Sequence, residues 1–263
     1  MQIGATGPIA VFDSGIGGLS VLVEVAAALP SETFVYLADQ GFGPYGDRSL
    51  DEVRIRAEGV TRLVLAREAK AVVIACNSAS AAALDHVRRL HPGVPFIGME
   101  PAVKPAALHT TTGVIGVMAT EATFQGELFA SVVDRHANGA EVVPQVCSGL
   151  AAAIESDDAD VDRLLEMYLT PLLDRGADHV VLGCTHYALV ADRIESIVGS
   201  DVTVVDPAPA VARQVRRVIV EDHLLSGDGD GSTSFLTTGE GSRFEGQLER
   251  ILGTSEKALE VEV

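Results

Sequence analysis

Short apolar runs alternate with segments of helical period along almost the whole chain, and this alternation is the feature that most constrains the fold. The runs are rich in valine and isoleucine, whereas the segments between them are rich in alanine, leucine and arginine. Such alternation is typical of βαβ units around a parallel sheet. We therefore predict an α/β fold, with strands over residues 8–12, 33–37, 71–75, 96–98, 113–118, 141–144, 179–182 and 203–205 and helices over 50–68, 79–90, 161–175 and 209–223.

The composition is that of a globular protein. The chain has 263 residues, of which 47% are hydrophobic and 21% charged, so it can bury a sizeable core in one large or two modest domains. No apolar run approaches the ~18 residues that span a bilayer, and the opening sequence MQIGATGPIAVF lacks the basic and apolar regions of a signal peptide. We expect a cytoplasmic protein whose three cysteines, an odd number spread over a long chain, stay reduced.

The charge of the chain excludes one class of partner and disfavours one cofactor. A formal net charge of −18 with no basic stripe argues against nucleic acid, because nucleic-acid binding relies on clustered lysine and arginine that neutralise phosphates. Lysine occurs only at Lys70, Lys104 and Lys257, and a pyridoxal-phosphate enzyme needs a lysine for its Schiff base. Three scattered lysines make that cofactor unpromising.

The chain contains a weak internal duplication. The stretches PIAVFDSGIGGLSVL and GVIGVMATEATFQGELF each predict a strand, a tight turn of small residues and a helix, and each is followed much later by an apolar strand that ends in a cysteine. Asp13 lies 63 positions before Cys76, and Ala119, the matching position, lies 65 positions before Cys184. Because open α/β sheets bind ligands at the carboxyl ends of their strands, we expect each half to bring one cysteine to a ligand site.

Cys76 in ACNSAS and Cys184 in GCTHYA are the strongest candidates for chemistry. A single cysteine after a strand is more simply explained by packing, because a free thiol behaves as a small hydrophobe. Two such cysteines at strand-to-helix turns, where backbone N–H groups stabilise a thiolate or bind a carboxylate, favour general acid–base catalysis instead. Thiols that face each other across a cleft can remove a proton from one face of a carbon and supply one to the other. The third cysteine, Cys147 in PQVCSGL, is predicted to be a packing residue.

Two other functions compete with this interpretation. The two strand-end cysteines and His186 could form a Cys₂His zinc site with an open position, although Cys-x-His spacing is weak evidence. The glycine-rich turn over residues 13–18, with Asp39 at the end of the second strand, imitates a dinucleotide-binding fingerprint and leaves an NAD-dependent oxidoreductase open. Asp13 would repel a pyrophosphate at that turn, and capping of a helix is an equally simple role for it.

Glycine and proline predict two loops. Residues 39–49, DQGFGPYGDRS, are predicted to be a loop that could present the Tyr45 phenol and the Gly46 N–H to a ligand. Residues 226–235, SGDGDGSTSF, predict an exposed loop. An edge strand in FLTTGE and a closing helix over residues 243–252 are predicted after it.

Taken together, these stretches resemble the cofactor-independent aspartate/glutamate racemase superfamily, and within it the glutamate racemases. The resemblance covers nearly the whole chain, because the motifs occur in the family's order. ACN and GCTH are specific as a pair, and neither is specific alone. The motifs are VFDSGIGGLSV, PYG, ACNSAS, GVIGVMAT, CSGLAAAIE, LGCTHYALV, VDPA and FLTTG.

The resemblance implies interconversion of L- and D-glutamate without a cofactor or a metal, a reaction that supplies D-glutamate for peptidoglycan. By this resemblance Cys76 abstracts the α-proton of D-glutamate and Cys184 that of L-glutamate, and the opposite thiol returns a proton each time. Asp13 is implied to assist near Cys76 and His186 near Cys184, and Glu155 is a further acidic residue of the site. The substrate contacts implied in the same way are Asp13, Ser14, Tyr45, Gly46, Asn77, Ser78, Thr120, Thr185 and His186.

The resemblance further implies two pseudo-symmetric αβα domains with mainly parallel sheets and an active site in the cleft between them. The first domain comprises residues 1–100 and 208–263 and carries Cys76, and the second comprises residues 101–207 and carries Cys184. A homodimer is the family's usual state. Racemisation of aspartate or another acidic amino acid on the same fold stays open, because pocket volume is a tertiary property.

Overall fold

The computed structural model describes residues 4–226 and 229–263. Within these ranges strands and helices alternate, and the predicted bounds are met within three residues. None of the helices in these ranges combines the length and the apolarity that a bilayer span needs. The strands are β1 (Ile9–Asp13), β2 (Phe34–Ala38), β3 (Ala71–Ile74), β4 (Phe96–Gly98), β5 (Val114–Ala119), β6 (Glu141–Val146), β7 (His179–Gly183), β8 (Thr203–Val205), β9 (Thr233–Thr237) and β10 (Ala258–Glu260). The helices are α1 (Leu19–Ala28), α2 (Leu50–Leu65), α3 (Asn77–Leu90), α4 (Val103–His109), α5 (Glu121–Gln125), α6 (Glu127–His136), α7 (Leu150–Ser156), α8 (Val161–Asp174), α9 (Thr185–Ala188), α10 (Ala191–Val198), α11 (Ala208–Glu221) and α12 (Gly241–Leu252).

The strands form two sheets in which every described pairing is parallel. The larger sheet has six strands in the order β10-β9-β2-β1-β3-β4, and the smaller has four in the order β6-β5-β7-β8. With β9 and β10 set aside, the second, first, third and fourth strands of each half lie side by side in the same order. Asp13 and Ala119 end the corresponding strands β1 and β5. The internal duplication predicted from the sequence is therefore present in the topology.

Helices cover both faces of each sheet. On the larger sheet, α1, α11 and α12 pack on one face and α2 and α3 on the other. On the smaller sheet, α7, α8 and α10 pack on one face and α4 and α6 on the other. Every residue of β1, β3 and β7 is buried, as expected for strands inside a parallel sheet that is covered on both sides. The α/β prediction is confirmed, and each sheet is the middle layer of an αβα sandwich.

The chain passes between the two sheets twice. β4 ends at Gly98 in the larger sheet, and α4 begins at Val103 beside the smaller one. β8 ends at Val205, and α11, which packs against α1, begins at Ala208. The larger sheet therefore draws its strands from both ends of the described chain. Domain limits at residues 100 and 208 are compatible with these crossings and stay a prediction.

The C-terminal strands of the larger sheet differ from the sequence prediction. FLTTGE predicts an edge strand, but β9 pairs with β2 on one side and with β10 on the other. The edge is β10, a strand of three residues that is too short to show a periodic pattern. The loop predicted over residues 226–235 also ends earlier, because residues 233–235 belong to β9. Its residues 227 and 228 lie outside the described ranges.

Candidate active site

Two strand-to-helix turns place cysteines at the carboxyl ends of the two sheets. β3 ends at Ile74, and Cys76 caps α3, where its Sγ accepts a hydrogen bond from Ala79 N at 3.5 Å. β7 ends at Gly183, and Cys184 directly precedes α9. In both turns an apolar run stops at residues with short polar side chains, which favour helix starts. Both thiols are buried.

The glycine-rich turn after β1 packs against the Cys184 turn of the other domain. A Cβ on Gly15 would lie 2.3 Å from Glu155 Oε2, and a Cβ on Gly17 would lie 2.7 Å from His186 N. Because His186 N is a backbone atom, only glycine at position 17 allows this approach, and it lets the two turns interlock. The space in which a dinucleotide-binding turn would hold a pyrophosphate is filled by the second domain. The NAD alternative therefore loses its structural basis.

Asp13 is the ionisable neighbour of Cys76. Its carboxylate is buried at the end of β1, and its Oδ1 accepts a hydrogen bond from Gly15 N at 2.8 Å. Burial raises the pKa of Asp13, while the positive charge of His186 opposes that shift. Burial, and after it the charge of Asp13, raises the pKa of Cys76 to about 12. Cys76 is therefore a thiol at neutral pH, and its Sγ lies 3.9 Å from Ser14 Oγ.

His186 and Glu155 are the ionisable neighbours on the Cys184 side. His186 Nδ1 lies 3.9 Å from Cys184 Sγ, and His186 Nε2 lies 2.6 Å from Glu155 Oε2. Burial opposes protonation of His186, but the hydrogen bonds with Cys184 and Glu155 outweigh it and raise the pKa of His186 well above its usual value. Burial likewise opposes ionisation of Glu155, yet the hydrogen bond with His186 lowers the pKa of Glu155. An imidazolium–carboxylate pair thus lies next to the Cys184 thiol.

Hydroxyl groups contribute to the hydrogen bonds that join the two sides of the site. Thr185 Oγ1 donates to Asp13 Oδ2 at 2.9 Å, and the hydroxyl oxygens of Ser78 and Thr120 lie 2.9 Å apart. Asn77, which precedes Ser78 in the chain, is buried, yet neither atom of its side-chain amide has a partner among the described residues. Because a buried amide without partners is costly, Asn77 is the group in this site that most needs a polar ligand.

A cavity of about 210 Å³ opens beside these groups. Its lining includes Ser14, Glu155 and His186 and, from α12, Arg243. Arg243 and a protonated His186 place positive charge in the cleft of a chain whose formal net charge is −18. This arrangement suits a small anionic ligand.

The loop after β2 forms another wall of the cleft. Gly46 approaches the second domain so closely that a Cβ would lie 2.6 Å from Thr120 Cγ2. Tyr45 is buried, and its phenol donates to Asp39 Oδ2 at 2.5 Å instead of facing the cleft. Asp39 also accepts two hydrogen bonds from Arg56, because a buried carboxylate must have its acceptors filled. The Tyr45 phenol is therefore engaged by Asp39 in this structure, and a contact of Tyr45 with a substrate stays a prediction.

The zinc alternative requires a cluster of metal-ligating side chains. Over residues 4–226 and 229–263, no group of three or more histidine, cysteine, aspartate or glutamate side chains is arranged to hold a metal ion. Both ring nitrogens of His186 are engaged, one by Cys184 and the other by Glu155. A metal ion at His186 would have to displace one of these two partners.

The cleft also contains groups that the sequence did not predict. Gln40 contacts Glu155 and lies just after the end of β2. Because ligand sites in α/β sheets lie at strand ends, this position could have identified Gln40 from the sequence. Arg243 and Gln247 lie on α12, whose place in the fold cannot be derived from its periodicity. Cys147 packs in the core of the smaller sheet, as its predicted packing role requires, and it also borders a small pocket with Gly46 and Thr120. The predicted residues that the structure brings to the cleft are Asp13, Ser14, Gly46, Cys76, Asn77, Ser78, Thr120, Glu155, Cys184, Thr185 and His186.

Known proteins with similar sequences and structures share this arrangement of the chain. Residues 14–215 match the family described as Asp/Glu/Hydantoin racemase. A glutamate racemase of Roseiflexus sp. (strain RS-1) is 48% identical over 249 residues, which cover 93% of this chain and 92% of that protein. Among solved structures, a glutamate racemase isoform from Bacillus anthracis is 32% identical, with a TM-score of 0.87 and 98% of both chains covered. The glutamate racemase from Francisella tularensis subsp. tularensis SCHU S4, solved in complex with D-glutamate, is 29% identical, with a TM-score of 0.85 and 98% of both chains covered. These matches show that the chain belongs to the Asp/Glu/Hydantoin racemase family, in which these similar relatives are glutamate racemases.

Proposed function

We propose that this protein interconverts L- and D-glutamate by transferring protons between the substrate and two thiols. One observation supports this most directly: each sheet carries a buried thiol at the end of the corresponding strand, and each thiol has its own ionisable neighbour. Cys76 lies beside Asp13, and Cys184 lies beside His186. The names of the relatives, which are 48% identical or less, support glutamate as the substrate.

The proposed reaction gives the two cysteines opposite tasks in each direction. Cys76, with its pKa raised to about 12, is a thiol and can give a proton to a carbanion. Cys184, beside the His186 imidazolium, is the group that accepts the α-proton of L-glutamate. After one turnover the proton has moved from Cys76 to the product and from the substrate to Cys184. The enzyme that releases D-glutamate is therefore in the state that accepts D-glutamate.

Hydrogen-bond donors in the cleft stabilise the negative charge that develops on the substrate during deprotonation. That charge spreads onto the α-carboxylate, so donors aimed at the carboxylate lower the barrier. The candidate donors are the Asn77 amide, the Ser78 and Thr185 hydroxyls and the backbone N–H groups of the first turn of α3. Asn77, Ser78 and Thr185 are buried, and burial strengthens their electrostatic interactions with the substrate.

Proton exchange in D₂O tests the proposed function. Protein treated with a chelator and freed of nucleotide is incubated with L-glutamate and, separately, with D-glutamate, and the α-proton is followed by ¹H NMR. We expect the α-proton signal to be lost while the opposite enantiomer forms. The same assay with aspartate tests whether the protein acts on glutamate, on aspartate or on both. Folded protein that exchanges neither glutamate enantiomer would show that the site serves another reaction.

Serine substitutions test the two thiols. Cys76→Ser and Cys184→Ser should each abolish racemisation, because a serine hydroxyl cannot act as the base at neutral pH. Cys147→Ser is the matched control, since Cys147 packs in the core of the smaller sheet and should keep its turnover per folded molecule. Normal racemisation by either of the first two variants would remove the two-thiol mechanism.

We also propose that the protein is a cytoplasmic homodimer that supplies D-glutamate for peptidoglycan. This follows from the resemblance to the glutamate racemases. Light scattering over a range of protein concentrations tests the dimer, and cell fractionation tests the location. Growth of a D-glutamate auxotroph that carries this chain tests the physiological role.

A further inference from the structure

Two glutamines that no sequence motif includes contact Glu155. Gln40 follows β2 and Gln247 lies on α12, so both belong to the part of the fold that surrounds the larger sheet, whereas Glu155 lies on α7 beside the smaller sheet. Gln40 Nε2 donates to Glu155 Oε1 at 2.5 Å, and Gln247 Nε2 donates to the Glu155 carbonyl oxygen at 2.9 Å. Gln40 Nε2 also donates to Gln247 Oε1 at 2.7 Å, which joins the two amides.

The partners of Gln40 determine the orientation of its amide. Thr237 Oγ1 donates to Gln40 Oε1 at 3.2 Å. The ionised carboxylate of Glu155 can only accept hydrogen bonds, so the amide nitrogen of Gln40 must face it. Gln247 is buried, Gln40 is half-buried, and Gln247 bonds to both Gln40 and Glu155. Loss of the Gln40 amide would leave the Oε1 of the buried Gln247 without this donor.

The other carboxylate oxygen of Glu155 connects the glutamines to the reacting groups. Glu155 Oε2 lies 2.6 Å from His186 Nε2 and accepts a hydrogen bond from Ile16 N at 3.0 Å. Gln40 and Ile16 belong to the larger-sheet side of the cleft, and His186 belongs to the smaller-sheet side. Donors from both domains thus fix the carboxylate that meets His186.

We propose that Gln40 and Gln247 are positioning residues that hold Glu155 against His186 and so control proton transfer at Cys184. The inference rests on the proposed function, because it assigns Cys184 to L-glutamate. The ionisable groups that face His186 are Cys184 and Glu155 and, across the cleft, Asp13, while Arg243 lines the adjoining cavity. Gln40 lines that cavity as well, and among these ionisable groups the hydrogen bonds of the two glutamines go to Glu155.

A titration of His186 tests the inference without turnover. Gln40→Met keeps the side-chain length and removes the donor to Glu155 Oε1, so the carboxylate holds the imidazolium less well. We expect NMR of protein with ¹⁵N-labelled histidine to show the pKa of His186 lowered by roughly one unit. His186→Gln assigns the resonance. Gln214→Met, an exposed change on α11, is the matched control and should leave the titration unchanged.

Isotope effects test whether the change falls on the Cys184 side. The two enantiomers have equal free energy, so kcat/KM for L-glutamate must equal kcat/KM for D-glutamate in every variant. A comparison of these two values therefore cannot show whether the Cys184 step or the Cys76 step has changed. Gln40→Met and Gln247→Met should lower kcat/KM by about tenfold, as loss of a supporting hydrogen bond does at other sites. Because the Cys184 step becomes slower, the primary isotope effect on kcat/KM should rise for L-[2-²H]glutamate and fall for D-[2-²H]glutamate.

Each result supports or overturns the inference. Folded Gln40→Met protein whose His186 titrates as in the wild type, or variants whose two isotope effects change together, would overturn it. Gln247→Met provides the titration if Gln40→Met does not fold, because it removes the acceptor that orients Gln40. A wild type that does not racemise glutamate would contradict the proposed function, and the His186 titration would still decide whether the glutamines act through Glu155.

Discussion

Asp13 and His186 give the two thiols different electrostatic neighbours although the strands that carry the thiols correspond. The position on β5 that matches Asp13 is Ala119, which has no charge. The position after Cys76 that matches His186 is Ser78, which does not titrate at neutral pH. Each thiol therefore has an ionisable neighbour of its own, although the charges of His186 and Asp13 interact across the cleft.

Asp13→Asn should lower the pKa of Cys76 without bringing it to the ordinary thiol value of 9.0. The substitution removes the negative charge that disfavours the thiolate, but burial, the larger cause of the shift, stays. The new amide keeps an oxygen that can accept from Thr185. We expect kcat to fall by about 10²-fold, because the carboxylate no longer assists proton transfer. The rate of Cys76 alkylation against pH, followed by mass spectrometry, measures the thiol, and an unchanged profile would contradict this account.

Glu155→Gln should change stability in a pH-dependent way. The raised pKa of His186 contributes stability that is present below its unfolded value of 6.5 and is lost as pH rises through the folded value. The lowered pKa of Glu155 contributes stability that is present above its unfolded value of 4.5 and is lost as pH falls through the folded value. Both contributions are complete only between these two values. The loss in unfolding free energy should therefore peak there, at about 2 kcal/mol for a buried charged hydrogen bond.

Urea unfolding at a series of pH values measures this loss. Glu166→Gln, an exposed change on α8, is the control and should shift the unfolding curve little at any pH. A loss of unfolding free energy in Glu155→Gln that does not vary between pH 4 and pH 9 would show that the pair is not the source of the stability.

At the level of the elements, the turn after β1 and the turn before α9 interlock through glycine. Gly17→Ala places a Cβ 2.7 Å from His186 N, a backbone atom that cannot move aside without shifting α9. We expect the turns to separate, with a loss of kcat of about 10²-fold, since small displacements of reacting groups have effects of this size. Thermal unfolding should change little, because each sheet keeps its own core.

Gly246→Ala is the matched control for the turn. Gly246 lies inside α12, where an added Cβ meets nothing within 4 Å. The substitution should keep kcat and stabilise the protein by up to about 1 kcal/mol, because alanine favours the helix more than glycine does. Equal losses of kcat in both glycine variants would show that the contact with His186 is not what matters.

The elements with clear periodic patterns could be predicted from the sequence. The strand neighbours and side-chain contacts that depend on long-range packing could not. Strands such as β3 and β7 are found where valine and isoleucine runs predict them, and the cysteines that follow them were recognised by their position. The neighbours of β9 depend on pairing with a strand almost 200 residues earlier, which no local pattern encodes. In the same way, the orientation of the Tyr45 phenol depends on its hydrogen bond to Asp39, which Arg56 also contacts. The amide of Gln247 reaches the cleft only because α12 packs there.

At the level of the whole molecule, the net charge opposes the approach of an anionic substrate. The formal charge of −18 creates a negative potential around the protein, and glutamate carries a net negative charge at neutral pH. Arg243 lines the cavity beside Glu155 and His186, so it offsets the negative potential at the position where the substrate enters. The attraction of an exposed arginine acts through solvent and is weakened by salt.

Arg243→Gln should therefore raise KM more at low salt than at high salt. The Debye length falls from about 10 Å at 0.1 M salt to about 3 Å at 1 M, so salt screens most of the attraction between Arg243 and the substrate over that range. We expect KM to rise by about threefold to tenfold below 0.1 M salt and by much less at 1 M. Arg89→Gln makes the same change of charge near the far end of α3, whose first turn lies at the cleft, and should leave KM unchanged. If both variants raise KM equally, the total charge controls binding; if the effect of Arg243→Gln is independent of salt, the arginine contacts the substrate directly.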